Sequence, residues 1–135
     1  MIAALFASCD ETKKVIDVAG NVQLSGTYKI SSIQNKSISE NNPVITFMAL
    51  DKSVKGNTGC NEFFGNYALD LYALSFADIA STEMACDEPI MSHENMFLLA
   101  LRDTGSYDIK ENVLTLYSKN DRSVLLRAKK QTNEQ

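Results

Sequence analysis

Along most of the chain, apolar and polar residues alternate in short runs broken by turn formers, the period expected of half-buried β-strands. In "GTYKISSI", Tyr28, Ile30 and Ser32 fall on one face, and Lys29 and Ser31 on the other. "VITFMAL", from Val44, is a denser apolar strand, and Asp51, Lys52 and Ser53 supply the turn that leads to "VKG". "GNYALDLYALSF" reads as two short strands about a turn near Asp70 and Leu71, with Tyr67, Leu69, Leu74 and Phe76 directed inward. "ADIASTEMACDEP" carries a further short strand into a loop closed by Pro89. Near the C-terminus "SYDIK", "NVLTLYS" and "SVLLRAK" are joined by the turns "EN" and "KND", loop lengths that suit an antiparallel meander.

One segment, "SHENMFLLALRDTG", has helical spacing instead. Phe97, Leu98, Ala100 and Leu101 form a broad apolar stripe suited to packing on a sheet. Ser92 is expected at the N-cap, with Glu94 in the first turn where the helix dipole favours an anion, Met91 and Met96 as a hydrophobic staple, and Gly105 as a left-handed C-cap. On that reading, replacing Ser92 or Glu94 by Ala costs about 0.5–1.5 kcal/mol each. Many short strands with one helix predict a mainly β domain: a small antiparallel barrel or curled sheet with the α-helix packed against it.

A chain of 135 residues supports one core of this kind and no second. The expected layout is a leader remnant and tether at 1–23, the domain at 24–129 and a polar tail at 130–135. Acidic residues outnumber basic ones, giving a net charge of −4, and the densest basic run, "RAKK" at Arg127 to Lys130, reads as a solvated strand end. Nucleic acid is therefore not an expected partner, since its binding requires a basic stripe. No run approaches the ~18 apolar residues of a membrane span.

The segment "MIAALFASCDETKK" is apolar up to Cys9 and polar after it, with small Ala7 and Ser8 in between. It resembles the end of a bacterial lipoprotein signal, in which the cysteine is lipidated and becomes the first residue. A full signal also has a charged start and a longer apolar segment. Either the true start lies upstream or the apolar run is incidental. The first alternative implies a lipid anchor at Cys9 and an address in the bacterial cell envelope, on the periplasmic or outer-membrane side.

The stretch "VKGNTGCNEFFGNY" resembles the signature of the META domain family, which includes the heat-shock protein HslJ. Gly56, Gly59, Cys60, Asn61, Phe63 or Phe64 (Phe64 in the preferred alignment), Gly65 and Tyr67 match it. "LSFADIASTEMACDEP" is similar to a second family pattern through Thr82, Met84, Ala85 and Cys86, and "ENMFLLAL" to the family's helix. Tyr28 stands where many members carry tryptophan. The resemblance implies a small β-rich barrel with one helix, found in envelope lipoproteins and loosely linked to heat and drug stress. It implies no enzymatic mechanism.

Tested for chemistry, the residues assemble none. His93 is the only histidine, and it reads as an exposed residue at the helix start rather than as a base for Cys60. Cys60, Cys86 and His93 lack the spacing of a zinc site. The glycines of the signature fit neither phosphate-binding template. Asp87 and Glu88 read as a solvated loop. No catalytic residue, metal or cofactor is expected. The expected function is that of a non-enzymatic, monomeric envelope domain binding an unknown envelope protein or component. The alternatives are a carrier of a small apolar ligand in the barrel and, last, an unrecognised hydrolase. With Cys9 lipidated in an exported chain, Cys60 and Cys86 remain as an even pair, each preceded by a small residue. A disulfide between them is expected, and two buried free thiols are the competing picture.

Overall fold

The computed structural model describes residue 20 and residues 22–132; Cys9 and the segment around it lie outside the described residues. Among the described residues nine strands form one antiparallel sheet: β1 (Gly26–Ile33), β2 (Lys36–Ser37), β3 (Val44–Met48), β4 (Ser53–Asn57), β5 (Glu62–Asp70), β6 (Ala73–Ser81), β7 (Thr104–Lys110), β8 (Val113–Ser118) and β9 (Val124–Lys130). Pairing of β1 with β9, from Tyr28↔Lys130 to Ile33↔Leu126, closes it into an eight-stranded barrel, with β2 a short arm on β1. The helix α1 (Ile90–Asp103) joins β6 to β7 and packs against β1, β6, β8 and β9. The expected mainly β barrel with one packed helix is the observed architecture.

Because all neighbouring strands are antiparallel, the connections alternate between two ends of the barrel. One end carries the β3–β4, β5–β6 and β7–β8 turns, the end of β9 and the start of β1, preceded by helical residues 22–24. The other carries the β4–β5 loop, the segment after β6 and the start of α1. Aromatic and aliphatic side chains pack in the interior. Phe47 meets Tyr28, Tyr67 and Phe76 at centroid distances of 5.7, 5.3 and 5.9 Å, and Phe63 meets Phe97 edge-on at 5.3 Å. Leu24, Ile30, Ile45, Leu101, Leu114 and Leu116 complete the core.

Several local expectations are corrected. Ile33 rather than Ser32 reaches the core, because a bulge between Ile30 and Ser32 shifts the register against β9. The two strands expected on either side of Ala77 are one, β6, which continues through a bulge at Asp78 with φ of 57°. The helix begins upstream of Ser92, with Pro89 at the N-cap and no capping side chain on that residue, since proline is tolerated at a helix start. Ser92 instead donates from its backbone N–H (3.2 Å) and its hydroxyl (2.5 Å) to Glu88 Oε1. At the other end, α1 passes directly into β7. Thr104 is extended there, and its hydroxyl donates to the Ala100 carbonyl at 2.8 Å. Gly105 is not a left-handed cap: a Cβ there would come within 2.5 Å of Lys119 Cα, so glycine serves the close approach of β7 to the end of β8.

Candidate functional site

Of the matched signature residues, Gly59, Cys60, Asn61, Thr82, Met84 and Cys86 gather at the end of the barrel that carries the start of α1. The β4–β5 loop turns at Gly59, whose φ of 99° suits glycine. The Thr58 hydroxyl accepts from the backbone N–H groups of Cys60 (3.2 Å) and Asn61 (2.8 Å), while Thr58 N–H donates to the Asn61 carbonyl at 2.7 Å. Asn61, 1 % exposed, uses its whole side chain: Nδ2 donates to the Met84 carbonyl (3.0 Å) and to Glu94 Oε1 (2.8 Å), and Oδ1 accepts from Met84 N–H (2.7 Å) and Thr82 Oγ1 (2.9 Å). Glu94 Oε1 also accepts from Thr58 Oγ1 at 2.5 Å. The β4–β5 loop, the strap formed by residues 82–86 after β6, and the helix are thereby clasped together through one buried carboxylate and one buried amide.

Cys60 and Cys86 are disulfide-bonded, with Cα atoms 6.1 Å apart. The bond adds a covalent tie between the same loop and strap. Neither sulfur offers a thiolate for nucleophilic attack or zinc ligation. Among the described residues there is no group of three or more His, Cys, Asp and Glu side chains able to hold a metal ion.

The other signature positions are distributed along β4 and β5. Gly56 pairs with Phe63, Gly65 pairs with Val54, and Tyr67 is buried beside Phe47. The preferred match at Phe64 points away from the core: Phe64 is 60 % exposed and Phe63 is 1 % exposed, since neighbours on a strand face opposite ways. Met84 contributes its backbone to the clasp, and its side chain is exposed. His93 is half-buried rather than exposed, and its Nδ1 has no hydrogen-bond partner among the described residues, beside a small cavity of about 170 Å³ lined by residues that include Ile33, Ile38, Ser92 and Met96.

The sequence pattern places Glu94 in the first helical turn, as a partner of the helix dipole, whereas α1 begins at Ile90 and has no acidic residue in its first turn. Glu94 is 4 % exposed, inside α1, and accepts both donors described above. The signal was present in its spacing, because Glu94, Phe97, Leu98 and Leu101 occupy one helical stripe.

With those features established, one result decides the family: the sequence profile of the META domain matches residues 21–131. The chain belongs to the META domain family. Solved structures with the same fold include one determined by NMR for a protein from Burkholderia xenovorans, 21 % identical with a TM-score of 0.68, covering 86 % of this chain and 89 % of that one. A second NMR structure is 26 % identical with a TM-score of 0.66, covering 81 % of this chain and 92 % of that one. A crystal structure of a duf4847 family protein from Bacteroides vulgatus is 17 % identical, with a TM-score of 0.58 and coverage of 81 % and 96 %. No curated protein matches the chain.

A cleft larger than the one beside His93 lies at the β6–β7–β8 seam of this META domain. β6 and β7 pair only at Ala73↔Ser106, and the seam widens into a cleft of about 620 Å³. Tyr72, Tyr117, Asp108, Lys119 and Arg122 line it, over a floor that includes Gly105 and Ser106. The Tyr117 hydroxyl donates to Asp108 Oδ2 at 2.8 Å, and that bond to an anion, more than burial, raises the phenol's pKa. The cleft therefore offers two aromatic faces, two cations and one carboxylate already engaged by a phenol. No sequence motif marks it, because its lining comes from a turn, two strands and the β8–β9 connection.

Proposed function

We propose that this META domain is a non-enzymatic, lipid-anchored module of the bacterial cell envelope that binds a polar envelope component through the cleft at the β6–β7–β8 seam. The observation that carries the proposal is a division of labour. Cys60, Asn61, Thr82, Met84 and Cys86 are engaged in the clasp, whereas the cleft displays aromatic and charged side chains at its mouth. Tyrosine supplies flat apolar area with a polar tip, and Lys119 and Arg122 suit a ligand bearing negative charge. The disulfide favours an oxidising compartment, as an exported chain would meet. The packed aromatic interior leaves the carrier alternative without a supporting observation. Any part in stress tolerance would follow from binding.

Two measurements test this reading. Mass spectrometry of the protein from its native host should find a diacylglycerol thioether at Cys9; an unmodified Cys9 in a correctly started precursor refutes the anchor. Titration of isotope-labelled protein with soluble envelope fragments should shift NMR signals of Tyr72, Tyr117, Lys119 and Arg122. Shifts centred on residues 58–61 and 82–86 would instead assign binding to the clasp and refute the cleft.

A further inference from the structure

The end of the barrel opposite α1 is unusual in what its turns expose. Leu50, at the β3–β4 turn, is 101 % exposed; Leu71 and Tyr72, which form the β5–β6 turn, are 40 % and 70 % exposed; and Val22, ahead of β1, is 65 % exposed. Turn tips normally carry polar residues or glycine, and Leu71 holds a φ of 61° that glycine or asparagine adopts more readily. The three segments adjoin one another around the rim, since β1 pairs with β3, β3 with β4, β4 with β5 and β5 with β6. Together they form an apolar crown on one pole, the kind of exposed patch that marks an interaction surface.

The course of the chain says what covers it. Gly20 sits at this same pole: a Cβ there would lie 3.3 Å from the Tyr107 hydroxyl and 3.7 Å from Leu69 Cδ1. The peptide steps from Cys9 to Gly20 reach at most about 40 Å. A lipid on Cys9 therefore tethers the domain from this pole, within reach of the bilayer, and contact by the rim side chains is what would seat the pole on it. At such short range a weak apolar contact acts as an intramolecular one, so a few side chains suffice. The charges here nearly balance, with Lys52, Lys110, Lys129 and Lys130 against Asp51, Asp70 and Glu111, so attraction to anionic lipid is not the driving contribution.

We infer that the rim formed by Val22, Leu50, Leu71 and Tyr72 is a membrane-docking surface that lays the barrel pole on the lipid bilayer. This inference rests on the anchored reading of Cys9. Docking would set the Tyr72 side of the cleft beside the bilayer surface and leave α1 and the clasp facing away. Insertion of such side chains at the headgroup boundary follows their apolar area, so binding should depend little on lipid charge.

The test couples the full chain, with Cys60 and Cys86 oxidised, through Cys9 to a maleimide lipid in phosphatidylcholine nanodiscs carrying a paramagnetic headgroup. Because the anchor is supplied chemically, the outcome does not depend on whether the host lipidates Cys9, which the mass measurement decides separately. Amide signals of residues 22, 50, 71 and 72 should broaden about threefold more than those of Thr58, Asn61 and α1, as expected for a pole resting in the headgroup layer. A Leu50→Ser/Leu71→Ser variant, with its melting temperature unchanged, should lose that contrast. Equal broadening of both poles, stronger broadening at α1, or a contrast that persists in the variant overturns the inference. Self-association through the same residues, seen by sedimentation of the uncoupled chain, would assign the rim to a second copy and likewise overturn it.

Discussion

Removing the Glu94 carboxylate should unfold this domain far more readily than its position near a helix start suggests. Its Oε1 accepts from Thr58 Oγ1 at 2.5 Å and from Asn61 Nδ2 at 2.8 Å, and the residue is 4 % exposed. A hydrogen bond to a charged group contributes about 1.5–3 kcal/mol, and a buried donor left unpaired costs about 1–3 kcal/mol. Asn61 Nδ2 keeps its bond to the Met84 carbonyl, so the second loss is partial. Adding the space vacated beside the core, Glu94→Ala should cost about 3–5 kcal/mol, against the roughly 5–15 kcal/mol that holds a domain of this size together. Glu94→Gln keeps an oxygen acceptor and the volume, so only the charge assistance is lost, about 1–2 kcal/mol. Urea unfolding of the oxidised protein at constant m reads both values. A dipole contribution at an exposed helix start would be screened by roughly 0.5 M salt, whereas the buried bonds would not. If Glu94→Ala costs under about 1 kcal/mol, or if its cost vanishes in salt, the clasp is not what holds α1 to the β4–β5 loop.

Three further outcomes follow from packing and titration. Phe63→Ala should cost about 3–5 kcal/mol and Phe64→Ala less than about 1 kcal/mol in the same urea assay, and similar losses would contradict the register of β5. Gly105→Ala should cost about 1–3 kcal/mol by driving a methyl into the Lys119 backbone, and an unchanged melting temperature would refute that close approach. Burial, aided by neighbouring Tyr107, pushes the Tyr28 phenol up to about 12. The unfolded chain ionises first, near pH 10, so stability is level below that and falls by about 2–3 kcal/mol as pH rises to 12. Tyr28→Phe should flatten that part of the alkaline unfolding curve, and an unaltered slope would exclude Tyr28 as its source.

Much of the barrel was legible because its strands bury one face and show the other to water. Tyr28, Tyr67 and Leu74 all stand where alternation put them. The errors cluster where the period slips. The bulge near Ser32 substituted Ile33, and the one at Asp78 made a single strand look like two. Phe63 and Phe64 are adjacent and equally apolar, so only the register of β5 separates them. The helix start was misplaced because Ser92 and Glu94 make a good local cap, yet tertiary hydrogen bonding to Thr58 and Asn61 claims Glu94 for the interior. Cys60 and Cys86 were paired from parity and compartment, and the structure joins them. The cleft and the apolar rim were not legible, since each is assembled from turns distant in sequence and needs the closed barrel to bring them together.

The most direct test of the central claim, that the signature residues bind the fold together and are not reactive groups, is non-reducing peptide mapping of periplasmically expressed protein, followed by urea unfolding before and after reduction. The account predicts one cross-linked peptide pair containing Cys60 and Cys86. Closure of a loop with a sequence separation of 26 predicts a stability loss of about 3.5 kcal/mol on reduction. Free thiols at both positions, or an unchanged unfolding midpoint after reduction, would contradict it and return Cys60 to the set of groups available for chemistry.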